Sequence, residues 1–379
     1  MNLGEQRELF EIPEEVAYLN CAYMSPQLRS AREIGERAVA RKSWPWEITP
    51  ADFFEDAEKS RALFARLVGG EPDGVALVPS VSYGIAVAAA NVPVREGQRL
   101  LILEDQFPSN VYPWRELARR SGADVVAVPR PADYDWTSAV GRHLDENTAV
   151  VAVPNCHWTD GSLLDLARVG ERAREAGAVL VVDAIQSLGA YPFDAREIKP
   201  DFLVASVYKW LLGPYGVGFM YVREDHRDGK PIEHNWINRR GSEDFSGLVS
   251  YEDAFQPGAR RYDVGERSNF VLLPMANEAL RQILDWGVEN VSETIGELTD
   301  LIEEEAARRG IEAVPKEVRA RHMIGLKLGS GAPEDLAARL AAENVFVSVR
   351  GESVRVSPHL YNTEGDVERL FEVLGQAIA

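Results

Sequence analysis

The sequence predicts an α/β fold: a mostly parallel central sheet with helices on both faces, joined to a smaller C-terminal α+β domain. Three observations predict it. Five short runs are apolar at consecutive positions and rich in valine, isoleucine and leucine, the pattern of strands buried on both faces. Helical patterns lie between most of these runs, and strand–helix–strand alternation builds parallel sheets. At 379 residues the chain also exceeds the usual size of one core, so two domains are expected.

Taken in order, the expected strands are "GVALVPS" (74–80), "RLLILED" (99–105), "TAVVAVPN" (148–155), "AVLVVDA" (178–184) and "DFLVASVY" (201–208). Residues 164–176, "LDLARVGERAREA", repeat apolar positions at spacings of three and four, and Gly177 follows as a stop signal. Beyond residue 222 the text turns polar, with scattered glycines and aromatics, and reads as a long irregular excursion. Such excursions are usually functional or disordered. Residues 271–308 look helical, and roughly 311–379 read as strands and helices of the smaller unit. Neither an internal repeat nor a low-complexity tract interrupts this order.

Composition narrows the classes of function. The chain is 45% hydrophobic and 27% charged, as soluble globular proteins are. Its net charge of −19 repels phosphate backbones, which argues against a nucleic-acid partner. No apolar run is long enough to span a bilayer, so no membrane partner is expected. The start, "MNLGEQRELFEIPEE", lacks a basic region followed by an apolar one, so no signal peptide is expected. Cys21 and Cys156 make no disulfide framework, and the expected location is cytoplasmic.

Motifs narrow them further. A nicotinamide fingerprint would need glycines directly after the first strand, and "VSYGIAVAAA" stands there instead. The six histidines are scattered without metal-ligand spacing, so no metal site is expected. "DGSLL" is no nucleophile elbow. What remains is one acid and one lysine at strand ends. Asp183 closes "AVLVVD", and Lys209, one of only seven lysines, follows "DFLVASVY". Ligands of doubly wound sheets collect at the carboxyl ends of strands, so both side chains would enter one crevice. That pair suits pyridoxal phosphate: the lysine forms a Schiff base with the aldehyde, and the carboxylate keeps the pyridine nitrogen protonated.

The stretch "VVDAIQSLGAYPFDAREIKPDFLVASVYKWLLGPYGVGFMYV" resembles the signature of class V aminotransferases within the fold type I pyridoxal phosphate enzymes. Asp183, Gln186, Ser206, Lys209, Gly213, Pro214, Gly216 and Gly218 carry the match. The likeness extends from "YLNCAYMSP" (18–26) to "RVSPHLYNT" (355–363) and takes in kynureninases, cysteine desulfurases and isopenicillin-epimerase-like members. It implies the fold type I architecture, with an N-terminal segment (1–16) packing on the small domain. A large cofactor-binding domain (17–258) and a small C-terminal domain (259–379) follow. It also implies a homodimer whose two chains share each active site.

Residue roles follow from the same resemblance. The Val81 amide, Ser82, Ser206 and Tyr208 would take the cofactor phosphate, Phe107 would cover the pyridine face, and Asn110 would be a further phosphate contact. Gln186 would hydrogen-bond the ring hydroxyl, beside the stretch holding His157 and Trp158. Trp236 and Asn269 would reach the phosphate of the neighbouring chain. Arg355, ranked before Arg350, would take the substrate carboxylate, because guanidinium is a planar two-pronged donor. Tyr23 and Trp158, with Trp44 and Trp46, would line the substrate pocket, and the last two would suit an apolar or aromatic substrate.

The expected activity is that of a pyridoxal phosphate enzyme acting on a small amino acid or amine, with a transaminase leading. A kynureninase-like or other C–C or C–S lyase, or an epimerase, is the alternative, and a catalytically silent binding protein is the non-enzymatic one. Desulfuration is disfavoured, because "GESV" rather than a cysteine loop separates Arg350 from Arg355. Gln186 stands where kynureninases typically carry histidine.

Overall fold

The computed structural model describes residues 2–329 and 332–378. All five expected strands form, as Val75–Val78, Arg99–Leu103, Thr148–Pro154, Val179–Asp183 and Phe202–Ser206. Two more complete a seven-stranded sheet. Gly218–Val222 inserts between Val75–Val78 and Phe202–Ser206, antiparallel to both. Asp124–Val128 pairs parallel with Arg99–Leu103 at the far edge. Its half-exposed pattern is that of an edge strand, which the search for continuous apolar runs passes over. From Phe202–Ser206 outward the order is Val179–Asp183, Thr148–Pro154, Arg99–Leu103 and Asp124–Val128, all parallel.

Successive side chains of each strand go to opposite cores. Leu101, Val151, Val153, Val182 and Leu203 pack in one, against helices Glu55–Val68 and Leu166–Ala176. Leu100, Val150, Ala152, Val181 and Val204 pack in the other, against helices Val81–Asn91 and Tyr112–Ser121. The Val81–Asn91 helix rests directly on the sheet at Gly84, where an added Cβ would meet Val204 Cγ1 at 2.6 Å.

A second, four-stranded antiparallel sheet runs in the order Ser348–Arg350, Ser353–Val356, Ile324–Lys327, Glu312–Ala313. Together with helices Leu336–Ala342 and Glu364–Ile378 it forms the smaller α+β unit. The cores change over at points other than 16/17 and 258/259. Ala17 and Leu19 belong to the small core, and Ala17–Tyr18 pairs parallel with Val345–Phe346. Ala259 and Tyr262 belong to a core of the central sheet. The helix Val288–Arg308 crosses between the two, with Val291 and Ile295 in the large core and Ile302 and Ala306 in the small one. In the N-terminal segment, Gln6 N–H bonds Leu360 O at 2.8 Å and Arg7 pairs with Asp366 at 3.2 Å.

The excursion after residue 222 is folded, not disordered. Asp263 anchors it from a fully buried position. Its carboxylate takes the guanidinium groups of Arg61 and Arg267 and, at 2.8 Å, the backbone N–H of Leu77. Secondary structure there amounts to short 3₁₀ turns and one antiparallel bridge, Arg239 to Phe255.

Candidate active site

Asp183 and Ser206 end neighbouring parallel strands, with Asp183 in register with Val204. Three residues past Ser206, Lys209 sits in a hairpin loop that its backbone ties down. Val207 N–H bonds Val217 O at 3.0 Å, Gly213 N–H bonds Val207 O at 2.8 Å, and Leu212 N–H bonds Lys209 O at 3.0 Å. From the N-terminal stretch, Ser25 N–H bonds Tyr208 O at 3.0 Å. The lysine therefore points from a fixed base.

Lys209 lines a cavity of about 370 Å³ together with Tyr23, Phe107, Trp158, Gln186, Tyr208, Arg350 and Arg355. Eight positions named from the sequence meet there. Ala22, Met24 and Tyr215 complete the wall. Of these, Tyr215 occupies the variable place in "GPYGVG", a slot whose residue type carries no motif signal; it packs on Tyr208 at 4.7 Å between centroids.

Lys209 Nζ makes no hydrogen bond or ion pair with the described residues. It lies 5.8 Å from the centre of the Phe107 ring and 5.6 Å from that of Tyr208. Burial to 6% exposure, reinforced by the positive charge of Arg355, pushes its ammonium down to about 7, with Asp183 pulling the other way. Asp183 is 4% exposed, and burial pushes its carboxyl up to about 6. Its Oδ1 accepts from Ile185 N–H at 3.1 Å, and Oδ2 has no hydrogen-bond partner among the described residues.

Gln186 is held at both ends. Its Oε1 accepts from Trp210 Nε1–H at 3.0 Å, and its Nε2 donates to Ala22 O at 3.1 Å. One N–H of the amide is left over for a ligand. Beneath it, His322 is fully buried, its imidazole pushed down to about 4 by burial, and its Nε2–H donates to Gln186 O at 2.6 Å.

Ser80 caps the Val81–Asn91 helix, accepting from Tyr83 N–H at 3.2 Å, while Ser80 and Ser82 hydroxyls lie 2.9 Å apart. The N–H groups of Val81 and Ser82 have no partner within the helix, as at any helix start, and favour an anion. The buried Ser206 hydroxyl is also without a partner among the described residues.

Arg355 is 1% exposed. Its Nη1 donates to Trp158 O at 2.6 Å, and its Nε is buried without a partner. Burial, then the neighbouring Arg350, pushes its guanidinium down to about 9. Arg350 lies over the Trp158 ring at 5.9 Å and donates only to Val349 O, at 2.9 Å.

Several expected site residues lie elsewhere. Asn110 is fully buried; its Oδ1 accepts from Trp114 Nε1–H at 2.9 Å, its Nδ2 is buried without a partner among the described residues, and like Ser82 and Ser206 it does not line the cavity around Lys209. His157 is a structural residue: it stacks on Trp136 at 5.4 Å, and its Nε2–H donates to Glu104 O at 3.1 Å. Trp44 and Trp46 are exposed and outside the cavity of their own chain. Trp236 packs against Phe53 and Phe245 and remains 39% exposed. Asn269 caps the Leu272–Trp286 helix, its Oδ1 accepting from Leu272 N–H at 2.8 Å. Neither of these two lines the cavity of its own chain.

A buried lysine without a hydrogen bond or ion pair among the described residues, a buried carboxylate with one oxygen free and a helix start whose first N–H groups remain open fit a cofactor with an aldehyde, a basic ring nitrogen and a phosphate. They define a pyridoxal phosphate enzyme of fold type I. The aminotransferase class-V family profile matches residues 49–370, and the chain belongs to that family. It is 28% identical to an uncharacterized aminotransferase, YcbU, of Bacillus subtilis, over 84% of this chain and 83% of that one. A kynureninase of Geobacillus thermodenitrificans is 25% identical over 92% and 82%. An isopenicillin N epimerase of Streptomyces clavuligerus is 25% identical over 83% of both. Among solved structures, an apo cysteine desulfurase of Thermococcus onnurineus superposes with a TM-score of 0.85 at 18% identity, covering 100% and 99%. A C-DES mutant with glycine covalently linked to its pyridoxal phosphate superposes at 0.88 and 16%, covering 98% and 99%. The cofactor of this family is pyridoxal phosphate.

Proposed function

We propose that the chain acts on a small amino acid or amine as a class V transaminase, with Lys209 as the residue that carries the cofactor. The observation that supports this best is the Lys209 amine itself, buried without a hydrogen bond and brought close to neutrality beside a buried arginine that also lacks an anion. When bound, pyridoxal phosphate supplies an aldehyde that condenses with an amine and a ring that accepts the electron pair of a broken Cα bond.

The chain's own groups do the rest. Asp183 holds a proton on the ring nitrogen, its second oxygen being available for that bond. The Val81 amide, Ser82, Ser206 and Tyr208 bind phosphate, and Gln186 spends its remaining N–H on the ring hydroxyl. Phe107 covers the ring. Arg355 orients the substrate through its carboxylate, and Lys209 Nζ, once released, takes the α-proton. Where Lys209 returns that proton separates transamination from racemisation, and loss of a side-chain group instead gives lyase chemistry. The active unit in this reading is a cytoplasmic homodimer, with Trp236 and Asn269 serving the partner's site.

A kynureninase-like lyase is the second reading, favoured by Phe107 beside Lys209. Desulfuration lacks its nucleophile: Cys21 and Cys156, the only cysteines, are fully buried, and burial raises both thiols. The test is the visible spectrum of the protein with pyridoxal phosphate. A yellow band absent in Lys209→Ala and shifted by an amino acid is expected; no band in the wild type would overturn the enzyme reading.

A further inference from the structure

We infer that the substrate is an amino acid with a second anionic group on its side chain, one anion held by Arg355 and the other by Arg350. This rests on the reading of the cavity as an amino acid site, and goes beyond it in naming which amino acids.

The two arginines belong to one surface. Ser348–Arg350 pairs antiparallel with Ser353–Val356, with Ser348 opposite Arg355 and Arg350 opposite Ser353. Side chains alternate along strands, so Arg350 shares the face of Ser348 and hence that of Arg355. They are diagonal neighbours, a spacing of about 7–8 Å at the backbone. Long guanidinium side chains can converge from there on two ends of one small molecule, and both line the same cavity.

Charge makes the stronger case. The cavity wall holds Lys209, Arg350 and Arg355 and not one acidic side chain, although Arg350 also borders a second cavity that Asp105, Asp160 and Glu352 line. Neither arginine forms an ion pair among the described residues; their hydrogen bonds go to the carbonyls of Trp158 and Val349. This happens in a chain of net charge −19, where acids to pair with are plentiful. A buried guanidinium beside a like charge and without a counterion is costly unless a ligand neutralises it; Arg355 is in that position, with the partly buried Arg350 beside it. Lys209 and Asp183 are committed to the cofactor. An α-carboxylate satisfies Arg355, whose Nε is buried without a partner. Arg350 is then left over, and a monocarboxylic amino acid would leave it facing an uncharged side chain.

The test titrates the visible band of the holoenzyme with L-aspartate, L-glutamate and O-phospho-L-serine against L-alanine and L-norvaline. At least one dianionic amino acid should act at about tenfold lower concentration or less, the value of one charge-assisted hydrogen-bonded contact. The first two against the third separate a carboxylate from a phosphate as the second anion. In Arg350→Gln that ratio should fall to about one, while Arg355→Gln should weaken every amino acid. A wild-type ratio near one, or a ratio unchanged in Arg350→Gln, overturns the inference. Calorimetry with glutarate and with butyrate reads the arginine pair independently of any colour. Tighter glutarate binding that Arg350→Gln removes supports the inference even if no band forms, and equal binding of the two overturns it. Loss of the band alone would count against the cofactor role of Lys209 instead.

Discussion

Asp183 and Lys209 project from adjacent strand ends into one interior region, both buried, and no ion pair joins them. Burial works on them in opposite senses, raising the acid and lowering the amine. Such a pair is poorly solvated and poorly matched, and a ring placed between them, with a nitrogen for one and an aldehyde for the other, relieves both.

Lys209 sits near 7, so its neutral, nucleophilic fraction grows as pH rises through that value. The rate of reconstitution with pyridoxal phosphate should increase from pH 6 to about 8 and then level off, far below the ordinary lysine range of about 10.4. Arg355→Gln removes a charge that lowers this amine and should move the profile to higher pH. Stopped-flow absorbance checks both. In the cofactor-free protein the same depressed value costs stability. The cost is full below about 7 and disappears by about 10.4, where the unfolded lysine also loses its proton. Lys209→Met should therefore raise the melting temperature most at low pH, by calorimetry.

Replacing Asp183 with asparagine keeps the shape but gives up the charge that retains the ring-nitrogen proton. Turnover of whichever amino acid proves active should fall about a hundredfold or more. The folded state should be little weakened, since burial of the carboxyl already costs stability and its cationic neighbour Lys209 forms no ion pair with it. Paired kinetics and melting curves separate the two effects.

Gln186→Leu leaves Trp210 Nε1–H buried without an acceptor and frees the carbonyl of Ala22. A loss of about 1–3 kcal/mol is expected in denaturant unfolding, with weaker cofactor retention because the Ala22–Met24 wall is released.

Asp263→Asn should be the most damaging of these changes. It takes from Arg267 its ion-pair partner and leaves Arg61 with Glu58 alone, both guanidinium groups being fully buried, and costs about 3–5 kcal/mol in an unfolding titration.

Asp183, Lys209 and the five buried strands were legible because each rests on short-range pattern: an apolar run, its last residue, the glycines after it. The match to a family motif then brought Phe107, Gln186 and both arginines to one cavity. Asn110 was legible only in part: its Oδ1 serves the indole of Trp114, a contact no motif signals, while its Nδ2 is buried without a partner among the described residues. The exposed setting of Trp44 and Trp46 was not legible, since aromatic residues in sequence do not say which side they face. The edge strand Asp124–Val128 lacked the doubly buried pattern. The division between cores escaped because it runs through the middle of one helix, Val288–Arg308, where amphipathic spacing continues without a break.

The pairing of Ala17–Tyr18 with Val345–Phe346, and of Asn20 with Ser357, joins residues more than three hundred positions apart, and Ala22–Met24 follow directly as cavity wall. During synthesis the chain therefore emerges with Lys209 long before it has a complete pocket. A nascent protein stalled before residue 345 has every strand of the central sheet and Lys209 but neither arginine, and the N-terminal wall has nothing to pair with. Its lysine would be open to any aldehyde in the surroundings, and selective loading of the site waits for the last strands to leave the ribosome.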